Sequence, residues 1–293
     1  MRKSIQGKNI DRPIFIIGVG RSGSSIFHKL LSEHPEVAWI SERLSNKYPG
    51  NPELNAYLMN GINYPLLKRF LKNNFQPGEG YGFWEYYCPG FRRPCRDLVA
   101  QDVTIRKRKA IYEALSKILT RRRNRLLIKI TGWPRIGFLQ EIFQDASFIH
   151  IRRDPRGVIN SMVNIDWWWG WRGPQNWRWG ELTPELREEW KKFDYSFLAL
   201  AGIELQILAQ AMAKAREFVD ENRFMEITYR DLCADYIGSL HQVTEFCQLE
   251  WSANFERALA GHVIKDQSER WRQELTAEQQ TIVEYFAKTL ENI

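Results

Sequence analysis

The chain has 293 residues, 44% hydrophobic and 26% charged, enough apolar material for a sizeable packed core and too much for a disordered chain. A net charge of +7 suits phosphate-bearing or polyanionic ligands without naming one. Cys88, Cys95, Cys233 and Cys247 lack CxxC or zinc spacing and the five histidines are scattered, which argues against a disulfide framework and against a metal site.

The first element is the apolar run Ile14-Phe15-Ile16-Ile17, short, β-branched and stopped by glycine, as a buried strand should be. A turn follows, Gly18-Val19-Gly20-Arg21-Ser22-Gly23, and Ser24-Ser25 open a helix with Ile26, Phe27, Leu30 and Leu31 at helical spacing. Pro35 is expected to end that helix. Val37–Ile40 reads as a second strand, with Glu42 just past its end. A strand, a glycine turn and a helix make an anion site, because the first helical amides lack partners and the helix dipole adds positive charge. Three anions compete. Gly18–Ser25 fits a nucleoside triphosphate loop, but Ser24 stands where its lysine belongs. The same residues fit GxGxxG, with Glu42 as the acid of a dinucleotide site. In a phosphosulfate cradle, Arg21 would supply the cation.

Residues 43–97 read as short helices and loops, with aromatics gathered at Tyr81–Tyr87. The basic runs Arg106–Lys109 and Arg121–Arg123 flank a predicted helix, Ala110–Leu119, and read as solvated surface; no nucleic-acid-binding motif accompanies them. Arg125–Ile130 is a third strand, and Lys129 near its end faces the crevice if the sheet is parallel. Phe148–Ile151 is a fourth. It runs into Arg152-Arg153, turns at Asp154-Pro155 and continues as a helix, Arg156–Val163. Arg153 and Ser161 could hold one phosphate from two sides, the arginine as a fork and the serine as a hydroxyl. Residues 166–180 hold half of the chain's 12 tryptophans, separated by glycines. An aromatic lid or platform over an acceptor is expected there, with Trp168, Trp169 and Trp171, joined by Trp84, as its contacts. Leu182–Arg223 reads as helix, capped by Thr183 with Pro184 in the first turn. Phe224–Tyr229 is a strand, Ile237–Leu249 a helix, and Ala277–Leu290 a last helix after a polar, basic tail.

The sequence from Arg21-Ser22-Gly23-Ser24-Ser25 through His34-Pro35-Glu36-Val37 to Glu42 resembles the sulfotransferases that use 3′-phosphoadenosine 5′-phosphosulfate. It is similar to the branch holding the tyrosylprotein sulfotransferases and many bacterial enzymes. Arg153 and Ser161, eight positions apart, resemble that family's second signature, and Tyr229-Arg230-Asp231-Leu232 its Tyr-Glu-Asp-Leu element. The resemblance spans about Pro13 to Leu249. It implies a three-layer, P-loop-like α/β fold with a mainly parallel sheet. It implies sulfuryl transfer from that donor to a hydroxyl, without metal, on a small-molecule or glycan acceptor. The implied donor contacts are Gly20, Arg21, Ser22, Gly23, Ser24 and Ser25 on the 5′ side, Arg153 and Ser161 at the 3′-phosphate, and Tyr229 and Lys265 near the nucleotide. Glu42 is implied as general base, with Arg21 and Lys129 beside the transferred group. A nicotinamide-linked oxidoreductase and a non-catalytic polyanion-binding protein remain the alternatives. No linker divides the chain, so one domain over 1–293 is expected. No apolar run reaches the roughly 18 residues of a membrane helix and no apolar leader opens the chain, so a cytoplasmic protein is expected.

Overall fold

The computed structural model describes residues 9–71, 74–92, 95–291 and 293. Five strands, β1 (Ile14–Gly18), β2 (Val37–Trp39), β3 (Arg125–Thr131), β4 (Ser147–Arg152) and β5 (Phe224–Thr228), form one sheet in the order β2-β3-β1-β4-β5. Every pairing is parallel. Central β1 is buried at every residue, as a strand covered on both faces must be. Its neighbours lie on opposite sides, so the chain reverses direction across the sheet at β1, where parallel sheets place their ligands. The order also removes the dinucleotide reading. There the second strand lies beside the first; here β3 intervenes and Glu42 is one strand too far out.

Helix α1 (Ser24–Leu31) ends before Pro35. Ser32 closes it, its hydroxyl donating to His28 O at 2.6 Å, and the chain turns so that Val37 N reaches His34 O. Residues 43–97 form α2 (Glu42–Lys47), α3 (Pro52–Gly61), α4 (Pro65–Leu71) and α5 (Tyr81–Tyr87) with loops between. Helix α6 (Ile105–Ser116) starts five residues earlier than expected, because Thr104 caps it by accepting from Lys107 N. The run Arg106–Lys109 is therefore its first turns. In the second basic run Arg121 and Arg122 are exposed but Arg123 is buried, donating to the carbonyls of His34 and Val37 at 2.9 and 2.7 Å. A short α7 (Ile136–Ile142) precedes β4, and α8 (Pro155–Val163) follows it, capped by Asp154, which accepts from Arg156 N.

The expected helix over 182–223 is two, α9 (Pro184–Lys191) and α10 (Phe197–Arg216). Asp194 and Tyr195 break it with φ of 47° and 58°, and Ser196 caps the second half. After β5 come α11 (Tyr229–Ala234), α12 (Tyr236–Phe246), α13 (Ala253–Leu259), α14 (Trp271–Glu274) and α15 (Ala277–Leu290). Tyr229 opens α11 instead of ending the strand, since Thr228 caps that helix through Asp231 N. Buried apolar side chains form two clusters, one on the sheet and one uniting α8, α10 and α15 with Trp168, Trp177 and Trp271. By length and composition α10 could cross a membrane, against expectation, but it packs in this second cluster and carries buried Glu204 and Gln206 at its middle.

Candidate active site

Beyond the carboxyl end of β1 lies a cavity of about 830 Å³. The turn after β1 is fixed by two backbone features. Arg21 has φ 68° and Gly23 φ 93°, the left-handed region that glycine tolerates and arginine enters at a cost. At Gly23 a Cβ would lie 2.3 Å from the Tyr229 ring, so the turn is packed against α11. Bent this way, Arg21 crosses to the second motif, and its Nε donates to Ser161 Oγ at 2.8 Å. Arg153 replies, donating to Arg21 O at 3.0 Å and to Gln267 O at 2.8 Å, with its guanidinium 4.6 Å over the Tyr229 ring.

Gly20, Arg21, Gly23, Ser24, Ser25, Lys129, Arg153, Ser161 and Tyr229 thus border one cavity although they come from four strand ends. Lys129 reaches Ser25 Oγ at 2.8 Å from β3, because Lys129 pairs with Ile16 and lies beneath α1. Burial and the Lys129 charge push the imidazole of His28, on α1, well below its usual range. Arg153 Nε is buried without a hydrogen-bond partner, whereas the side chain of Ser22, expected at the donor, is wholly buried in the turn and off the cavity wall, its Oγ also without a partner. Two arginines and three serines on this wall, Arg21, Arg153, Ser24, Ser25 and Ser161, beside the first amides of α1, fit a nucleotide that carries two phosphate groups.

A second cavity, about 560 Å³, opens from the first. They share Gly20, Glu79, Lys129, Thr131 and Trp167. At this seam Glu79 accepts from Lys129 Nζ and from Thr131 Oγ1, each at 3.0 Å. Glu42 lies on the second cavity's wall in the first turn of α2, its carboxylate accepting from Gly80 N at 3.2 Å and Asn46 Nδ2 at 3.0 Å. Neither contact is an ion pair. Glu204 of α10 also lines this cavity. It accepts from Trp168 Nε1 at 2.8 Å, and burial raises its carboxyl to about 7.

Several expected residues lie elsewhere. Trp84 is wholly buried and stacks on Phe91 at 4.9 Å, so it is core. Trp168 is buried too, turned to Glu204 and edge-on to Phe197. Trp169 and Trp171 are exposed and absent from the cavity wall; Trp133, Trp167 and Trp179 form it. In the tail, Lys265 offers its carbonyl to Tyr229 OH, while Gln267, Arg270 and Trp271 line the first cavity. Glu79 escaped notice because its stretch has no period. It is placed by a single bridge, Ser41 to Pro77, and by Gly78 N bonding Ile40 O.

A sequence model described as the sulfotransferase family matches residues 13–253. The omega-hydroxy-beta-dihydromenaquinone-9 sulfotransferase Stf3, in Mycobacterium tuberculosis and in Mycobacterium bovis, is 25% identical over 94% of this chain and 72% of its own. Among solved structures, sulfotransferase STF9 from Mycobacterium avium superposes with a TM-score of 0.61 at 17% identity, over 98% of this chain and 78% of the other. STF1 from Mycobacterium tuberculosis gives 0.55 at 17% identity, over 96% and 77%. These two share the fold. The family match covers both motifs that meet at Arg21 and Ser161, and on it this chain belongs to the sulfotransferase family.

Proposed function

We propose that this sulfotransferase takes its sulfuryl group from 3′-phosphoadenosine 5′-phosphosulfate and passes it to a hydroxyl of a small molecule, with Glu42 as general base. The observation that carries the reading is the Arg21–Ser161 hydrogen bond, which joins two motifs 140 residues apart on one cavity. Gly20, Arg21, Ser22, Gly23, Ser24 and Ser25 hold the 5′ side, and Arg153 and Ser161 the 3′-phosphate. Tyr229 carries Arg153 on its ring face. When bound, the donor supplies a sulfuryl group on a phosphate leaving group. Lys129 at the seam and Arg21 offset the negative charge that grows there, electrostatic work done by fixed protein groups. Glu42 accepts the acceptor's proton as the new sulfur–oxygen bond forms. The named relative's acceptor is a hydroxylated menaquinone derivative; the second cavity, about 560 Å³ and joined to the first, offers room for the hydroxyl end of an acceptor.

Thermal shifts with adenosine 3′,5′-bisphosphate, NAD and ATP with magnesium test the donor site. The bisphosphate at 100 times its dissociation constant should stabilise the fold by about 2.7 kcal/mol; a response to NAD alone would overturn the reading. Glu42→Gln should keep bisphosphate affinity while turnover falls by roughly 10²-fold or more. Turnover near that of the unaltered enzyme would remove Glu42 as base. Arg21→Ala and Arg153→Ala should each cost about 1.5–3 kcal/mol of nucleotide binding.

A further inference from the structure

Two arginines on the second cavity are held by aromatic rings. Arg92 lies 4.6 Å over the Tyr81 ring and Arg178 4.7 Å over the Trp169 ring, and both line the cavity. Among the described residues neither guanidinium has a carboxylate within ion-pair distance. Arg178 also acts electrostatically on Tyr81 and on Glu204, which places all of them around the same space. Behind them Arg135 is buried, donating to Trp133 O at 3.0 Å, with its Nε unpartnered.

Among the described residues none of the cavity's acids forms an ion pair with Arg92 or Arg178, although Arg178 and Glu204 attract one another across it. Glu79 is taken by Lys129. Glu42 is held by an amide and Asn46. Glu204 is bonded to an indole and sits deep in α10. Asp97 lies near Arg135, accepting its backbone N–H at 2.7 Å. A ring face orients a guanidinium without neutralising it, at about 0.5–1 kcal/mol where exposed. The tryptophan-rich stretch continues the pattern outward, with Arg172 4.7 Å over Trp169 and 4.8 Å over Trp171. These tryptophans serve as a rack for arginines.

Resting on the sulfotransferase reading, we propose that the second cavity accepts a hydroxylated molecule carrying an oxyanion, carboxylate or phosphate, which Arg92 and Arg178 grip with Arg135 behind. Arg92 and Arg178 are exposed at the mouth, whereas Lys129 is buried at the seam. The acceptor enters hydroxyl first and leaves its anion at the rim. Two guanidinium forks match either oxyanion with paired hydrogen bonds.

Matched pairs test this on enzyme saturated with adenosine 3′,5′-bisphosphate, by tryptophan fluorescence and by turnover with the full donor. The pairs are 4-hydroxyphenylacetate against 4-hydroxyphenylacetamide, 4-(hydroxymethyl)benzoate against its amide, and 4-hydroxybenzylphosphonate against its diethyl ester. At least one anion should bind about tenfold or more tightly than its neutral partner, the scale of one charge-assisted contact. Carboxylate and phosphonate arms separate the two oxyanions. Arg92→Met with Arg178→Met should bring that ratio near one and leave bisphosphate affinity unchanged. Neutral partners binding equally well, no pair binding, or a ratio that survives the double variant would each overturn the proposal. Bisphosphate binding is measured first, and its absence counts against the donor site; the pairs are then run on the free enzyme, where the same ratios decide.

Discussion

Gly23 and Tyr229 fix one another. The glycine's φ and the 2.3 Å separation a Cβ would have from the tyrosine ring leave no room for alanine. Gly23→Ala should cost about 1–3 kcal/mol of stability by denaturant unfolding and weaken adenosine 3′,5′-bisphosphate binding. Adding Tyr229→Leu should return part of the stability, since the clash is with the ring; no recovery would mean that backbone strain alone sets the cost. At the seam, Glu79→Gln should tighten bisphosphate binding in a titration, because the Lys129 charge would no longer be shared with a carboxylate. The arginines and serines of both motifs were legible because glycine and proline punctuate strand-turn-helix units. Glu79 and Glu204 were not. One lies in a stretch without period and the other in an apolar helical run, and only tertiary packing brings them to a cavity.

Among the elements, α10 carries a buried carboxyl. Glu204 sits at its middle with its carboxyl raised to about 7 by burial, against about 4.3 in an unfolded chain. The native state therefore holds this proton more tightly than the unfolded one. The contribution is complete below about pH 4 and is lost as pH climbs towards 7, on the order of 3 kcal/mol in all. Glu204→Gln should flatten the fall in melting temperature between those limits; an unchanged slope would assign it to another group. Asp97, raised to about 6 by burial, falls in the same direction and remains in the variant. The His28 imidazole, pushed well down by burial and Lys129, acts oppositely and loses stability as pH falls below its usual range. Periodicity found α10 but missed the break before it. Left-handed Asp194 and Tyr195 carry no glycine signal, and the indole of Trp190 stabilises the turn by donating to Ser196 O at 2.8 Å.

The whole molecule shows why a basic residue count misleads. Arg123 looks like surface in the sequence, yet it gathers the carbonyls of His34 and Val37 and donates to Asn63, tying the α1–β2 turn to α3's end. Burial lowers its guanidinium to about 10. Arg123→Met should cost roughly 2–4 kcal/mol in unfolding, as buried carbonyls lose charged donors, with bisphosphate affinity unchanged; a loss of affinity instead would tie it to the site. The strand order has a further consequence. The first cavity takes its walls from the loop after β1, from β3, from the helix after β4 and from the segment after β5, so no contiguous stretch of chain contains it. Its closure requires long-range parallel pairings, which form slowly. A nascent or truncated chain ending before Tyr229 completes the sheet and keeps the Arg21–Ser161 bond, but it lacks the ring packed on Gly23 and the wall of Gln267, Arg270 and Trp271, so tight capture of a nucleotide would certify that the segment beyond the last strand has docked. Ligand binding would in that sense be an internal quality signal, sounded only once the segment after the sheet is in place.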